Sequence, residues 1–352
     1  MSNRLFFIDF LRVSSAIIIL FFHSVIHMGC RYPFLHCFFF QGATVMTLFF
    51  MLSGFIVSAQ YGNKSLMTIS SLSTFYKKKA FTLVPVYLVF YAAHLIYFWN
   101  PRLLQENLIL FPIELTLTQS WMAGLGLLSH NGGSWFISCL AFCLFMAPFL
   151  NEIFRQQTNK QRSICIVILY GMAMYTPIAA KMVEAPNLYD NPLLRCSEFA
   201  IGMLLYPLFL RVKEADIRPL YLRSGALFSA AVLFLTITFC TLFCIGAYPQ
   251  YNFVCIPCFI ALIILGGNAW SSCSSRILRT TIGFFNSFTY EFYLAQFFTW
   301  SITSMILAKA GIARSTIPVI LVGFAVSTVL GFAMSRLITL PMKKWLSARY
   351  IR

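Results

Sequence analysis

Acidic residues, and charges in general, are scarce in this sequence. Its 352 residues include 10 Asp and Glu against 26 Lys and Arg, charged residues make up 10% of the chain, and hydrophobic residues make up 59%. The mean hydropathy is +0.79. A soluble domain of this length could not cover its surface with so few charges. The composition therefore excludes an ordinary soluble protein and predicts an all-α polytopic membrane protein.

The sequence also lacks internal repeats, low-complexity tracts and any polar segment longer than a loop. We therefore expect one transmembrane domain over 1–352, without an appended soluble domain. Apolar runs long enough to cross a bilayer predict a bundle of about ten transmembrane helices. These runs are 8–29, 37–60, 80–99, 135–151, 163–180, 193–210, 223–247, 252–269, 281–308 and 316–340.

A further apolar stretch, 103–128, differs from these runs because polar residues and a proline interrupt it. The interruptions are Glu106, Pro112, Glu114 and Gln119. Backbone that leaves the helix at membrane depth is tolerated only where it is buried in protein or lines a cavity. We therefore expect an interfacial or re-entrant segment here.

The basic residues indicate the orientation of the chain. A formal net charge of +16 could suggest nucleic acid, but the cations lie between spans and not on a soluble module, so no nucleic acid partner is predicted. With ten spans, the positive-inside rule places both termini in the cytoplasm. The Lys and Arg residues left outside are Arg31, Arg102, Lys181, Arg195, Lys309 and Arg314. The first run has no small-residue cleavage site, so we expect it to be retained as a span.

The eleven cysteines do not suggest a disulfide framework. Most lie within predicted spans, where a thiol behaves as a small hydrophobe. Cys255 and Cys258 have the CxxC spacing, but neither a second pair nor a thioredoxin-like context accompanies them. No metal site is predicted.

The first apolar run carries two residues that hydrocarbon should exclude, Arg12 and His23. Eleven helical residues make about three turns, so both side chains project from one face, about 16 Å apart. Ionisable residues inside a span usually mark a functional site. Asp9, three residues before Arg12, can pair with its guanidinium.

Less specific roles for these residues remain open. Arg12 could reach to lipid head groups, and His23 could bond a neighbouring helix. A transporter would use the same residues along a substrate or proton pathway, whereas a non-catalytic scaffold would not depend on them.

Other polar residues stand at less informative positions. A Ser53-Gly54 step inside a span usually permits close helix packing. Arg195 and Glu198 are three apart, which is as typical of a local ion pair as of a substrate contact. The run Lys77-Lys78-Lys79 could anchor to anionic lipid or bind a phosphorylated cofactor. Outer aromatics such as Trp135 could stack on a sugar.

Taken in order, these features resemble the acyltransferase 3 family of integral membrane enzymes, which is common in bacteria, over nearly the whole chain. The family's first helix carries an aspartate, an arginine three later and a histidine after ten more residues, as Asp9, Arg12 and His23 do. The other similar pieces are FF-x-x-SGF at 49–55, a basic run with proline and tyrosine at 77–87, WF at 135–136, R-x-x-EF-x-x-G at 195–202 and G-x-x-x-S-x-x-x-x-x-YL at 283–294.

The chain departs from the family pattern at several places, which indicates a divergent or shorter branch. Lys79 and Thr82 stand where many members have two arginines, and Gln296 stands where many have a histidine. Leu140 replaces a frequent glutamate, and Thr339-Leu340-Pro341 replaces a late Glu-x-Pro.

The resemblance implies transfer of an acyl group, usually acetyl from acetyl-CoA as co-substrate, to a hydroxyl of an extracytoplasmic surface polysaccharide or its lipid-linked precursor. It implies a multi-pass protein of the bacterial plasma (inner) membrane that contacts lipid. A homodimer is possible. The implied site residues are His23, Arg12 and Asp9 for catalysis, Arg12, Lys77, Lys78 and Lys79 for the donor, and Ser53, Trp135, Arg195 and Glu198 for the substrate. Histidine suits either removal of the hydroxyl proton or transient acceptance of the acyl group, and both roles stay open.

Overall fold

The computed structural model describes residues 6–97, 104–122, 132–182, 188–214, 218–246, 249–269 and 275–350. Within these ranges the regular structure is helical, as predicted. The α-helices are α1 (Phe6–Met28), α2 (His36–Phe40), α3 (Val45–Tyr61), α4 (Ile69–Tyr97), α5 (Leu104–Leu115), α6 (Trp135–Arg155), α7 (Asn159–Met182), α8 (Pro192–Glu214), α9 (Arg218–Cys244), α10 (Ile256–Ala269), α11 (Arg276–Asn286), α12 (Thr289–Lys309), α13 (Thr316–Met334) and α14 (Leu340–Tyr350). A π-helical segment, Ser335–Thr339, joins α13 to α14.

Seven helical segments of the described chain are long and apolar enough to cross a membrane. They are Phe6–Met28, Gly42–Tyr61, Ile69–Tyr97, Gly132–Arg155, Asn159–Met182, Pro192–Val212 and Thr316–Leu346. The multi-pass membrane architecture is therefore confirmed, whereas the count of ten is not. The run 223–247 lies on α9, Arg218–Cys244, of which Ser229–Cys244 is an apolar part, and the run 252–269 corresponds to the apolar segment Asn252–Gly266. The cytoplasmic location of the termini stays a prediction.

The predicted run 281–308 is not one helix, because the chain breaks between α11 and α12. The hydroxyl of Ser287 donates to the carbonyl oxygen of Phe284 at 2.7 Å. Phe288 leaves the helical region of backbone space, with φ −139° and ψ 24°. Serine hydroxyls that bond the preceding turn compete with helix hydrogen bonds. The break leaves Asn286 at the end of α11, opposite α1.

Two motifs of the sequence meet where α3 crosses α8. A Cβ added at Gly54 would lie 1.9 Å from the carbonyl oxygen of Phe199, and one added at Gly202 would lie 1.9 Å from that of Met51. The two backbones are therefore in direct contact, which only glycine permits at these positions. Ser53 bonds within α3, donating to the carbonyl oxygen of Phe49 at 2.8 Å.

The described part of the predicted interfacial or re-entrant stretch is a short helix followed by a turn back into the bundle. With 12 residues, α5 is about 18 Å long, too short to span the hydrocarbon core. In its last turn, Glu114 accepts a hydrogen bond at its carbonyl oxygen from the Tyr87 hydroxyl at 2.8 Å. Gln119 is fully buried and donates to the Ser134 hydroxyl at 3.1 Å. The end of this stretch, 123–128, and Arg102 lie outside the described residues.

Substitution of Gly202 by alanine tests the contact between α3 and α8. We expect Gly202→Ala to destabilise the protein by at least about 1–3 kcal/mol, because the new methyl group meets backbone atoms that cannot turn aside. The measurement is the fraction of monodisperse protein that survives heating in detergent. Gly171→Ala is the matched control, since nothing lies within 4 Å of its Cβ position in α7. Equal survival of the two variants would contradict the contact.

Candidate active site

The side chain of Asn286 forms hydrogen bonds with both charged residues near the N-terminal end of α1. The Asn286 amide nitrogen donates to an Asp9 carboxylate oxygen at 2.7 Å. The Arg12 guanidinium donates to the Asn286 amide oxygen at 3.3 Å. Asn286 is thus a common partner of the two residues that the sequence predicted to pair. Sequence reasoning missed it, although a polar amide inside the ninth apolar run was a signal.

Cations from three helices converge around Arg12. Lys79 of α4 lies close enough to Arg12, Lys78 and Lys343 to interact with their charges. Its ammonium group lies 5.6 Å from the ring centre of Tyr61. We call Arg12, Lys78, Lys79 and Lys343 the basic cluster. Lys343 of α14 is far from the others in sequence, so no motif pointed to it.

Lys77 and Glu291 stand beside the basic cluster. Lys77 is exposed, so it contributes charge without being enclosed. Glu291 of α12 is buried, accepts a hydrogen bond from the Thr339 hydroxyl at 2.5 Å, and interacts electrostatically with Lys343 and Arg12. The Glu291 carboxylate therefore lies beside Thr339, the residue that replaces the glutamate of the family's Glu-x-Pro motif.

His23 is oriented by Gln296, the residue that departs from the family pattern. The His23 Nδ1 atom lies 2.8 Å from the Gln296 side-chain oxygen. The Gln296 nitrogen donates to the carbonyl oxygen of Ala16 at 3.2 Å, which fixes which end of the amide faces the ring. Because an amide oxygen accepts, His23 Nδ1 must carry the hydrogen, and Nε2 keeps the lone pair.

The eleven-residue spacing predicts that Arg12 and His23 share one face of α1, and in the structure both side chains contact the α11–α12 pair, Arg12 through Asn286 and His23 through Gln296. A cavity on this face is lined by Val13, Ala16, Ile17, Phe285, Thr289 and Phe292 and has a volume of about 10 Å³. That is about the space of a single water molecule. The helices are therefore closely packed where these six residues meet, between Arg12 and His23.

A larger cavity adjoins the His23 end of α1. It has a volume of about 340 Å³ and is lined by His27, His94, Phe297, Trp300, Ser301 and Ser304 among others. We call it the His94 cavity. The Phe297 ring lies between the His94 cavity and His23. Its centre is 5.1 Å from the His23 ring centre and 6.1 Å from the His27 ring centre. The volume is at the lower end of the range for small-molecule sites, about 300–1,000 Å³.

Comparison with known proteins identifies the family. A family model described as an acyltransferase domain matches residues 5–336, almost the whole chain. The chain belongs to the acyltransferase 3 family. This confirms the resemblance given by the sequence motifs, and the match covers both ends of the α1 face. No curated protein and no solved structure matches the chain significantly. Together with the seven candidate spans, the match describes a multi-pass membrane acyltransferase.

Arg195 and Glu198 of this acyltransferase form a buried ion pair, 2.9 Å between nitrogen and oxygen. Glu198 also accepts hydrogen bonds from Thr47 at 3.1 Å and from Asn252 at 3.0 Å. The Arg195 side chain is 1% exposed and donates through Nε to the carbonyl oxygen of Tyr189 at 2.8 Å. The geometry favours the local ion pair over a substrate contact, and it ties α3, α8 and the segment before α10 together.

Trp135 belongs to the same buried cluster. It is 5% exposed, and its ring centre lies 5.3 Å from the Arg195 guanidinium and 4.8 Å from the Tyr189 ring. A cation held over aromatic faces is stabilised by their negative potential. The side chain is therefore engaged in the buried scaffold of the acyltransferase, and its contact with a sugar stays a prediction.

Removal of one partner tests the role of the ion pair. Arg195→Met should leave Glu198 buried without its cation and destabilise the acyltransferase by about 3–5 kcal/mol. The matched control is Arg155→Met, which breaks the exposed pair with Glu152 and should leave thermal stability nearly unchanged. Both are compared by thermal aggregation in detergent. A stable Arg195→Met enzyme with weakened acceptor binding would instead support the substrate contact.

Proposed function

We propose that this acyltransferase is an O-acetyltransferase of the bacterial inner membrane. It moves an acetyl group from cytoplasmic acetyl-CoA to a hydroxyl of an extracytoplasmic surface polysaccharide or its lipid-linked precursor. One observation carries the proposal: α1 holds Arg12 within the basic cluster at one end of a face and His23 beside a cavity at the other. The rise between them is about 16 Å, half the hydrocarbon core.

The basic cluster is the proposed site for the phosphates of the donor. Coenzyme A is polyanionic, and guanidinium and ammonium groups bind phosphate oxygens through charge-assisted hydrogen bonds. Asn286 restrains Arg12 from the side of α11, so the guanidinium is held before the donor arrives. Lys77, exposed at the edge, adds to the electrostatic attraction of an anionic donor.

His23 is the proposed catalytic residue. Its Nε2 atom can take the proton of the acceptor hydroxyl while that oxygen attacks the thioester carbonyl. The carbon–sulfur bond then breaks, and the coenzyme A thiolate takes up the proton. Alternatively, Nε2 attacks the thioester carbonyl, and the carbon–sulfur bond breaks to release the coenzyme A thiolate. The acceptor hydroxyl then takes the acyl group from Nε2, the acyl–nitrogen bond breaks, and the hydroxyl proton passes to the thiolate. In both cases the hydrogen bond from Nδ1 to Gln296 keeps Nε2 as the reacting nitrogen.

The close packing of α1 against α11 and α12, between Arg12 and His23, places a requirement on the proposed reaction. The cavity of about 10 Å³ between α1 and the α11–α12 pair is too small for a pantetheine arm. The thioester therefore reaches His23 only if α1 separates from Phe285 and Phe292. Family membership favours this enzyme over the transporter and the scaffold that the sequence left open.

Loss of His23 tests the catalytic assignment. His23→Ala should abolish O-acetylation of the surface polysaccharide without lowering the amount of protein in the membrane, because no other group supplies Nε2 at this position. Proton NMR of purified polysaccharide measures the acetyl signal in a deletion strain complemented with each variant. His36→Ala, which removes a histidine packed on Phe40 and Phe243, should retain wild-type acetylation. Normal acetylation with His23→Ala would refute the assignment.

Charge removal in the basic cluster tests the donor site. Arg12→Gln and Lys343→Gln should each raise KM for acetyl-CoA about 10- to 100-fold, since a hydrogen bond between charged groups contributes about 1.5–3 kcal/mol. Acetyl-dephospho-CoA, which lacks the 3′-phosphate, should bind the wild-type enzyme more weakly, and at least one variant should lose that discrimination. Lys309→Gln, an exposed lysine at the far end of α12, should leave KM unchanged. Unaltered KM in both cluster variants would rule out this site.

A further inference from the structure

The short helix α2 packs against the C-terminal end of α9. The ring centre of Phe38 in α2 lies 5.1 Å from that of Phe239 in α9. One turn further along α9, the ring centre of Phe243 lies 5.9 Å from that of His36. These two ring pairs flank one cysteine on each helix, so the packing of the aromatic side chains brings the two cysteines together.

The two cysteines are Cys37 of α2 and Cys240 of α9. Both are half-buried free thiols, and the Cys240 side chain has the Cys37 side chain as a hydrogen-bond partner. Cys240 lies one turn before the end of α9, where Cys244 is exposed. A disulfide brings its two sulfurs to about 2 Å, and two thiols in contact are already close to that arrangement. Sequence reasoning missed this pair because its members are far apart in the chain.

The pair lies at the same end of the helix bundle as His23. The Phe39 ring of α2 stacks on the Phe21 ring of α1, two residues before His23, with ring centres 4.4 Å apart. The proposed function places this end of α1 outside the cytoplasm. Disulfides form and persist in the bacterial periplasm, whereas cytoplasmic thiols are kept reduced. The two thiols therefore meet on the side of the membrane where oxidation is favoured.

A second pair of neighbouring thiols differs from this one in access. Cys143 of α6 and Cys196 of α8 also interact through their side chains, but Cys143 has no exposed surface. Exchange with an oxidant requires that a sulfur be reachable. We therefore expect Cys143 and Cys196 to stay reduced, which makes them an internal control.

We infer that Cys37 and Cys240 form a disulfide that links α2 to α9. The inference takes from the proposed function only the orientation that puts this end outside the cytoplasm. The oxidant is the disulfide of a dithiol–disulfide oxidase: one cysteine thiolate attacks it and forms a mixed disulfide. The other thiolate attacks the mixed disulfide and releases the oxidase as a dithiol. Two electrons and two protons thus pass from the pair to the oxidase.

The test counts free thiols in protein taken from growing cells. Cells are quenched with acid, the protein is denatured in N-ethylmaleimide, and its peptides are analysed by mass spectrometry without reduction. Wild type should show two fewer free thiols than its eleven cysteines and one linked peptide pair, Cys37 with Cys240, that dithiothreitol separates. Cys37→Ser should leave Cys240 labelled. Cys244→Ser, which removes the exposed thiol one turn away, is the matched control and should retain the linked pair.

The inference is overturned if Cys37 and Cys240 are both labelled in wild type, or if either is linked to another cysteine. A membrane-impermeant maleimide applied to spheroplasts then identifies the cause. If it labels Cys244 only after permeabilisation, this end faces the cytoplasm, and the orientation assumed in the proposed function fails as well. If it labels Cys244 in intact spheroplasts, the disulfide alone is wrong. A linked pair in a wild-type protein that transfers no acetyl group would support the inference and refute the proposed function.

Discussion

Two side-chain amides make the first helix of this acyltransferase possible. Arg12 and His23 would be expelled from hydrocarbon if their polar atoms lacked partners. Asn286 meets Arg12, and Gln296 meets His23. Both amides come from the α11–α12 pair, so α1 can be inserted at this depth and angle only against that pair. The position of the catalytic candidate therefore depends on a helix packing partner more than on α1 itself.

The break between α11 and α12 makes this double contact possible. The Ser287 hydroxyl bonds the preceding turn, and Phe288 leaves helical geometry, so Asn286 stands at a helix end and Gln296 inside the next helix. In a single continuous helix the ten residues from Asn286 to Gln296 would turn through about 1,000°, about 80° short of three full turns, so the two amides would point in different directions. The break between α11 and α12 thus lets the chain position Asn286 and Gln296 independently, one at each end of the Arg12–His23 face.

The sequence predicted those features that depend on local chemistry. The helical class, the shared face of Arg12 and His23, and the pairing of Arg195 with Glu198 all follow from spacing within one segment. The count of ten spans is not confirmed, and for the run 281–308 the reason is that apolar length alone cannot reveal the break at Phe288. Lys343 was missed because its neighbours are distant in sequence. The burial of Trp135 was not predicted, because burial depends on the surrounding helices, which one sequence does not reveal; its contact with a sugar stays a prediction.

The small cavity between Arg12 and His23 has a chemical consequence for the proposed transfer across the membrane. A permanent channel from Arg12 to His23 would admit water to the thioester and leak small solutes. The packing of Val13 and Ala16 against Phe285 and Phe292 leaves about 10 Å³, which admits about one water molecule. Exclusion of water protects a reactive intermediate from hydrolysis. In the proposed reaction, the acyl group is delivered while the donor arm itself holds α1 and α12 apart, which couples opening of the path to the presence of the proposed donor.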